Sequence, residues 1–478
     1  MDLFSSPDVD LFSSRVSKRG ISRARAAVTR LARLWMACLL VSMATPAWAQ
    51  TQAAAATKVR NVLIFPFATP DLPREEQWLG EAVAQAIMSG FRQIPGIIQI
   101  ERSRLQALTQ PEAWDEQAAI TAARVLRADV AFFGEIRRTA GDATLQARWV
   151  EVRGERVERG TLDPIAVPDG ALLDKLRQLP VAYARSLKIP LTDVEAARMQ
   201  KWAAPTTSLK AWEAYVRGRA AAVRGSQDAN EAAVEHLSRA IEADAQFVLA
   251  QYALGSVHQA LGNRWKAAAQ FRASTQLDST FPEPYKSLGD LFLTAPRRLF
   301  DQAEEAYVKA IDLRPFYSDA YVGLGDAKAA KGDVNGAIGA YQKALIHNPL
   351  SAQVHASLGK IYYAEKGLYY ESVQAYKKAV DLDPVNTEAR MGLAEVYEDK
   401  GLYPEAIAEY KKVVELAPTN TGALYNLALV YERTDPREAM ALWERYIQLA
   451  GPLPTEKDWV DVAKLHLRKL KGQFEKDK

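Results

Sequence analysis

The feature that most constrains this chain is a spacing. Gly255, Gly289, Gly325, Gly359, Ala394 and Ala428 follow one another at intervals of 34, 36, 34, 35 and 34 residues. Behind each comes a large aromatic: Phe271, Tyr307, Tyr341, Tyr376, Tyr410 and Trp443. Four residues before each aromatic sits a small one: Ala267, Ala303, Ala337, Ser372, Ala406 and Ala439. Pro315, Pro349, Pro384 and Pro418 close four of the units. The best-formed copy, residues 317–349, reads as two short helices around a Gly332-Asp333 turn. Small residues let the paired helices approach closely, and the aromatics fit as knobs into the next unit. A pair this short buries its apolar face only by stacking on neighbours, so the pattern dictates a quasi-one-dimensional array. A degenerate first unit over 209–243, with Gly218, Ala233, Leu237 and Ala240 in register, brings the number to seven. The two-residue excess between Gly289 and Gly325 falls in an inter-helix loop, where insertion costs little.

The period and the small–aromatic pattern resemble the tetratricopeptide repeat. The reading places seven units over 208–453, a capping helix over 454–471 and a frayed tail at 472–478. The resemblance implies an all-α superhelical solenoid whose first helices line a concave groove. Family groove positions map here to Glu283, Lys286, Asp290, Asp319, Val322, Asp326, Gln353, Lys360, Tyr363, Glu388, Met391, Glu395, Glu398, Tyr425, Glu432 and Arg433. Of these, Asp290, Asp319, Val322, Asp326, Lys360, Tyr363, Met391, Glu395, Glu398 and Tyr425 are the candidate partner-binding residues. From Asp319 onward the charged positions are mostly acidic, which suits a basic or amphipathic segment of a partner. The carboxylate clamp used by some members is disfavoured, because its asparagine positions hold Asp290, Asp326 and Lys360.

Before the array the chain changes character. Residues 1–49 carry seven Lys/Arg and three Asp. An apolar run at 34–44 leads to Ala47-Trp48-Ala49, the pattern of a secretory signal cleaved before Gln50. The run is about a dozen residues, short of the roughly 20 that a membrane span needs. Cys38, the single cysteine, leaves with the signal. Without residues 1–49 the chain has 54 basic and 55 acidic residues, a near-neutral body that gives no reason to expect nucleic acid. Residues 50–58 read as a linker. These features imply an exported, periplasmic protein without stable membrane insertion after cleavage; an uncleaved inner-membrane signal anchor is the alternative.

Residues 59–200 read as an α/β domain with a mixed sheet and packed helices. A strand over 59–67 ends at Pro66-Phe67, a helix spans 75–94, and a second strand spans 97–101. A short helix over 118–126 follows. Three strands at 129–138, 143–153 and 155–162 come next, and helical segments over 171–187 are broken or kinked at Pro180. The strand ending in Pro66-Phe67, the following helix WLGEAVAQAIMSGF, the strand ending IIQIERSRL and the Gly134–Arg137 strand resemble, in order, the N-terminal domain of TolB-type proteins. That resemblance implies an extracytoplasmic, protein-binding adaptor domain. The family's β-propeller is absent, and a tetratricopeptide array opened by PTTSLKAWEAYVRGR at 205–219 stands in its place.

No catalytic constellation emerges. The five histidines, His236, His258, His347, His355 and His466, make no metal-binding spacing, although His347 and His355 flank the Pro349 turn. No GxSxG or phosphate-cradling loop stands in a supporting strand–turn–helix context. Gly134 reads as a bulge or close-packing point rather than a phosphate contact, and Arg137 and Arg138, with Glu135, as a solvated strand edge rather than an anion site. The chain therefore reads as a non-catalytic adaptor without cofactor or metal that binds protein or peptide partners of the cell envelope. Two rivals stand beside it. One is a membrane-anchored module sensing a small ligand or nucleotide through its N-terminal domain; the other is an enzyme with a site near Trp202 and Trp212.

Overall fold

The computed structural model describes residues 59–108, 114–139, 142–168 and 170–476. The signal-like segment 1–49 and the linker 50–58 lie outside the described residues.

Six strands form one mixed sheet: β1 (Arg60–Ile64), β2 (Ile97–Gln99), β3 (Val130–Thr139), β4 (Asp142–Arg153), β5 (Arg156–Thr161) and β6 (Ile165–Val167). The order is β2-β1-β3-β4-β5, with β6 also paired to β4. β1 runs parallel to β2 and β3, and the remaining pairs are antiparallel. Helices α1 (Trp78–Phe91) and α3 (Leu172–Ser186) cover one face, and α2 (Glu116–Leu126) covers the other. The two-residue alternation of strands sorts the side chains between these faces. Val62, Ile64, Val130 and Phe132 join the α1/α3 side, whereas Leu63, Phe65, Ala131 and Phe133 join the α2 side.

Several local expectations change. β2 stops at Gln99, two residues short of the expected end at 101, and a 3₁₀ turn over Arg102–Ala107 follows. α3 is one helix, not segments broken at Pro180. The Pro180 ring packs at the helix crossing, where a Cβ on Gly90 would approach it to 2.5 Å. Two elements escaped the sequence reading, β6 and α4 (Asp193–Ala203). The second was legible, since Thr192 and Glu195 form a reciprocal capping box at its start.

The array comprises α5 (Leu209–Val223) with α6 (Gln227–Ala243), α7 (Val248–Ala260) with α8 (Arg264–Leu277), and α9 (Pro282–Leu293) with α10 (Phe300–Leu313). It continues with α11 (Ser318–Ala330) and α12 (Val334–His347), α13 (Ala352–Ala364) and α14 (Tyr369–Leu382), α15 (Thr387–Asp399) and α16 (Tyr403–Leu416), and α17 (Thr421–Thr434) and α18 (Pro436–Ala450). A final helix, α19 (Lys457–Lys476), covers the end. Among the described residues no helix is long and apolar enough to cross a membrane.

Tyr307 and Tyr376 each lodge between two glycines, one in their own unit and one in the next. A Cβ on Gly289 would stand 2.7 Å from the Tyr307 ring, and one on Gly323 of the following unit 2.3 Å. Gly359 and Gly392 bracket Tyr376 at 2.8 and 2.3 Å in the same way. The next-unit glycines, Gly323 and Gly392, lie two residues before the aligned small positions.

The α/β part and the first repeats share one hydrophobic core. It runs from the sheet through α1, α3 and α4 into α5, α6, α7 and Phe281. Trp202 stacks on Phe281 with ring centroids 4.7 Å apart. Gln85 Nε2 donates to the Tyr215 hydroxyl at 3.2 Å, and Lys201 pairs with Asp278 at 3.0 Å. Trp202 and Trp212, the junction considered for an enzyme site, are buried in this core.

Candidate functional site

The groove positions fall on α9, α11, α13, α15 and α17, the first helices of their units. The protein's own sheet edge meets the earlier part of this surface. Between the β2 edge and the array lies a cavity of about 580 Å³. Arg92, Gln99 and Glu101 line it from the α/β side, and Tyr252, Lys286 and Asp319 from the array. Arg127, in the left-handed turn after α2, donates through Nη1 to the Asp381 carbonyl at the end of α14, 2.7 Å away. The wall also holds a bidentate pair, Arg314 to Glu283 at 2.9 and 3.2 Å.

The ten candidate residues do not form one cluster. Asp290 accepts the Tyr307 hydroxyl at 2.8 Å and pairs with Lys286 at 2.7 Å. Asp326 accepts the Tyr341 hydroxyl at 2.5 Å, and Glu398 that of Tyr410 at 3.0 Å. Trp443 Nε1 donates likewise to Glu432 at 2.7 Å. These carboxylates therefore hold the packing aromatic of their own unit. Val322 packs against the Tyr341 cluster, and Met391 against the cluster around Tyr410. The Tyr363 hydroxyl donates to Asp399 of the next unit. Tyr425 meets Trp443 edge-on at 5.0 Å and Trp459 of α19 at 5.4 Å. Asp319, Lys360 and Glu395 carry no ion pair or side-chain hydrogen bond among the described residues. Asp319 belongs to the cavity, whereas Lys360 and Glu395 lie further along the array.

Burial raises the pKa of Asp326, and the Tyr341 hydrogen bond only partly offsets it. Glu395 is raised by burial and by the nearby charges of Glu398 and Asp399, with Lys360 acting against them. Glu398 is raised by burial, partly relieved by Tyr410 and Arg433. This segment thus keeps three carboxylates close together with one exposed lysine beside them, an arrangement that favours a cationic group from outside.

Among the described residues no group of three His, Cys, Asp or Glu side chains could hold a metal ion. His347 stacks on Tyr321 at 5.7 Å, and the His355 ring nitrogen lies 3.4 Å from the Pro349 carbonyl. Arg137 pairs with Asp71 and Glu135 at 3.0 Å each, and Arg138 with Glu76 at 2.7 Å, pinning the loop after β1. A Cβ on Gly134 would meet the Gln146 carbonyl at 2.2 Å and the Phe67 ring at 2.4 Å, so glycine serves close packing there.

Comparison with known proteins agrees with the helix pairs. The tetratricopeptide repeat model matches residues 289–352, 322–384 and 361–421, and a second model of that description matches 422–450. A search of curated proteins gives no match. Similar solved structures include YrrB, titled a TPR protein with an unusual peptide-binding site, at 23% identity over 42% of this chain and 100% of that one, with a TM-score of 0.34. A thermophilic TPR protein of Thermus thermophilus is 26% identical over 38% of this chain and 98% of its own, with a TM-score of 0.33. PilF of Pseudomonas aeruginosa is 16% identical over 47% and 97%, with a TM-score of 0.41. The chain carries tetratricopeptide repeats, preceded by a small mixed sheet with packed helices.

Proposed function

We propose that the protein is a non-catalytic periplasmic adaptor that holds a basic or amphipathic segment of an envelope protein in the part of its groove bearing Lys360, Tyr363, Met391 and Glu395. One observation carries the reading. Glu395 is half-buried and unpaired, and burial with two neighbouring carboxylates raises its pKa. A lysine or arginine from a partner relieves that cost, whereas Asp290, Asp326 and Glu398 are already engaged by their own tyrosines. Tetratricopeptide arrays present extended concave surfaces of this kind to protein partners. The ordered match of Pro66-Phe67, α1 and the Gly134–Arg137 strand to TolB-type domains supports a second protein-binding surface on the α/β part. The signal pattern ending at Ala49 supports export.

The test immobilises the chain from Gln50 onward and captures cross-linked envelope proteins. Glu395→Lys should lose a protein that the wild type and an exposed second-helix control, Glu405→Lys, both retain. Equal capture by all three overturns the groove assignment. For export, the expected mature N-terminus is Gln50 in the periplasmic fraction. A membrane-bound chain keeping residues 34–49 would instead support the signal-anchor alternative.

A further inference from the structure

The cavity between the sheet edge and the array contains two opposite charges that neither pair with each other nor with anything else. Arg92 follows α1 on the α/β wall, and Asp319 stands in the first turn of α11 on the array wall. Both side chains are open to solvent. Of the other charges of the wall, Glu283 is engaged with Arg314, Lys286 with Asp290, and Arg127 with the Asp381 carbonyl, and Arg104 adds a further cation to the α/β side. A charge at a helix end complements the helix dipole, which accounts for an arginine after α1 and an aspartate at the start of α11 taken singly. It does not account for both standing unpaired in one cavity. Crowding by the surrounding protein raises the Asp319 pKa, against the opposing charges of Lys286 and, more weakly, Arg92.

We propose that this cavity binds a small zwitterion, an apolar or aromatic α-amino acid, with Arg92 taking its carboxylate and Asp319 its ammonium group. The guanidinium presents a planar fork that matches a carboxylate. An anion alone would leave Asp319 facing it, and a cation alone would face Arg92; a molecule carrying both charges satisfies both. Ile97 on the α/β side and Tyr252, Phe316 and Tyr317 on the array side supply apolar and aromatic surface for the rest of the ligand. The volume, about 580 Å³, falls within the range of small-molecule sites, roughly 300–1,000 Å³. Because one wall belongs to the α/β part and the other to the array, the ligand would bridge the two. This site is separate from the Lys360 and Glu395 segment and does not depend on it.

The test is calorimetric titration of the full mature chain with L-phenylalanine and L-leucine. Phenylpropanoate and phenylethylamine, each lacking one of the two charges, serve as controls. The expected result is binding of at least one amino acid at one site per chain, with the single-charge analogues at least about tenfold weaker, as loss of a charge-assisted hydrogen bond implies. Arg92→Gln and Asp319→Asn should each weaken binding by at least about the same factor, with unchanged circular dichroism. Arg92→Lys, which keeps the charge and loses the fork, provides a second folded variant and should bind more weakly than wild type. No binding of either amino acid, equal binding of a single-charge analogue, or wild-type affinity in Asp319→Asn overturns the proposal.

Discussion

The Tyr341 hydroxyl donates to Asp326 Oδ1 at 2.5 Å, tying the packing aromatic of the second helix to the groove face of the first. Tyr307 with Asp290, Tyr410 with Glu398 and Trp443 with Glu432 repeat the device in other units. The second and fifth units depart from it: Phe271 has no donor, and around Gly359 the two acceptor positions hold Lys360 and Tyr363. Removing the donor strands a half-buried carboxylate, whereas an amide in place of the acid still accepts. Tyr341→Phe should therefore destabilise the array by about 1–2 kcal/mol, and Asp326→Asn by less. Urea unfolding midpoints of the two variants measure the difference, and the reverse order would show that the hydrogen bond does not hold this pair.

Glu395 gives a pH signature. Its folded pKa is raised, so the protonated form is favoured in the folded state. The stability this group contributes is complete below its unfolded value of 4.5 and is lost as pH rises through the folded value. Glu395→Gln is neutral throughout. It should be more stable than the wild type near neutral pH, with the advantage shrinking as the solution is acidified and vanishing below 4.5. Thermal melts across that interval check it. A variant less stable at neutral pH would mean that Glu395 has a stabilising partner.

Much of the array was legible because one periodicity carries it. Small and aromatic residues recur at a fixed spacing, and the physics of stacking short helix pairs leaves little choice of fold. β1 and β3 are readable as strands for the same local reason, from their own residues. The docking of the sheet on the array was not. Gln85 and Trp202 look like ordinary members of helical stripes, and their partners Tyr215 and Phe281 lie far along the chain. Nothing in a local pattern reports such contacts. The groove acids were misleading for a subtler reason. Asp326 appeared free because the repeat spacing does not demand it, yet it serves the tyrosine that the spacing does demand. Gly323 and Gly392 do not stand out in the sequence because their position is glycine in only some units and Asn426 occupies it in the last.

Glycines on the array divide into two kinds with opposite expected behaviour. A Cβ on Gly325 would lie 2.5 Å from the Tyr341 ring, whereas one on Gly339 in α12 meets nothing within 4 Å. Gly325→Ala must push the ring or separate the helices, at about 1–3 kcal/mol. Gly339→Ala removes a flexible residue from a helix interior and should stabilise by about 0.5–1 kcal/mol. Chemical denaturation of the pair separates packing from propensity, and like signs for both would contradict the packing role of Gly325.

The Arg314–Glu283 pair offers the sharpest energetic test, because its side chains are only 7% and 6% exposed. Two bonds join them at 2.9 and 3.2 Å in the wall of the cavity. Desolvating both charges offsets most of their attraction, so the pair as a whole adds little net stability. Removing one member is different, because the other is left buried and uncompensated. Glu283→Gln should cost about 3–5 kcal/mol, and Arg314→Met a similar amount. The double variant Glu283→Leu with Arg314→Met should recover most of that loss, since neither charge then remains to be solvated. A double-mutant cycle built on urea midpoints measures the coupling. Additive losses would show that water in the cavity solvates each charge separately and that the ion pair contributes no coupling of its own.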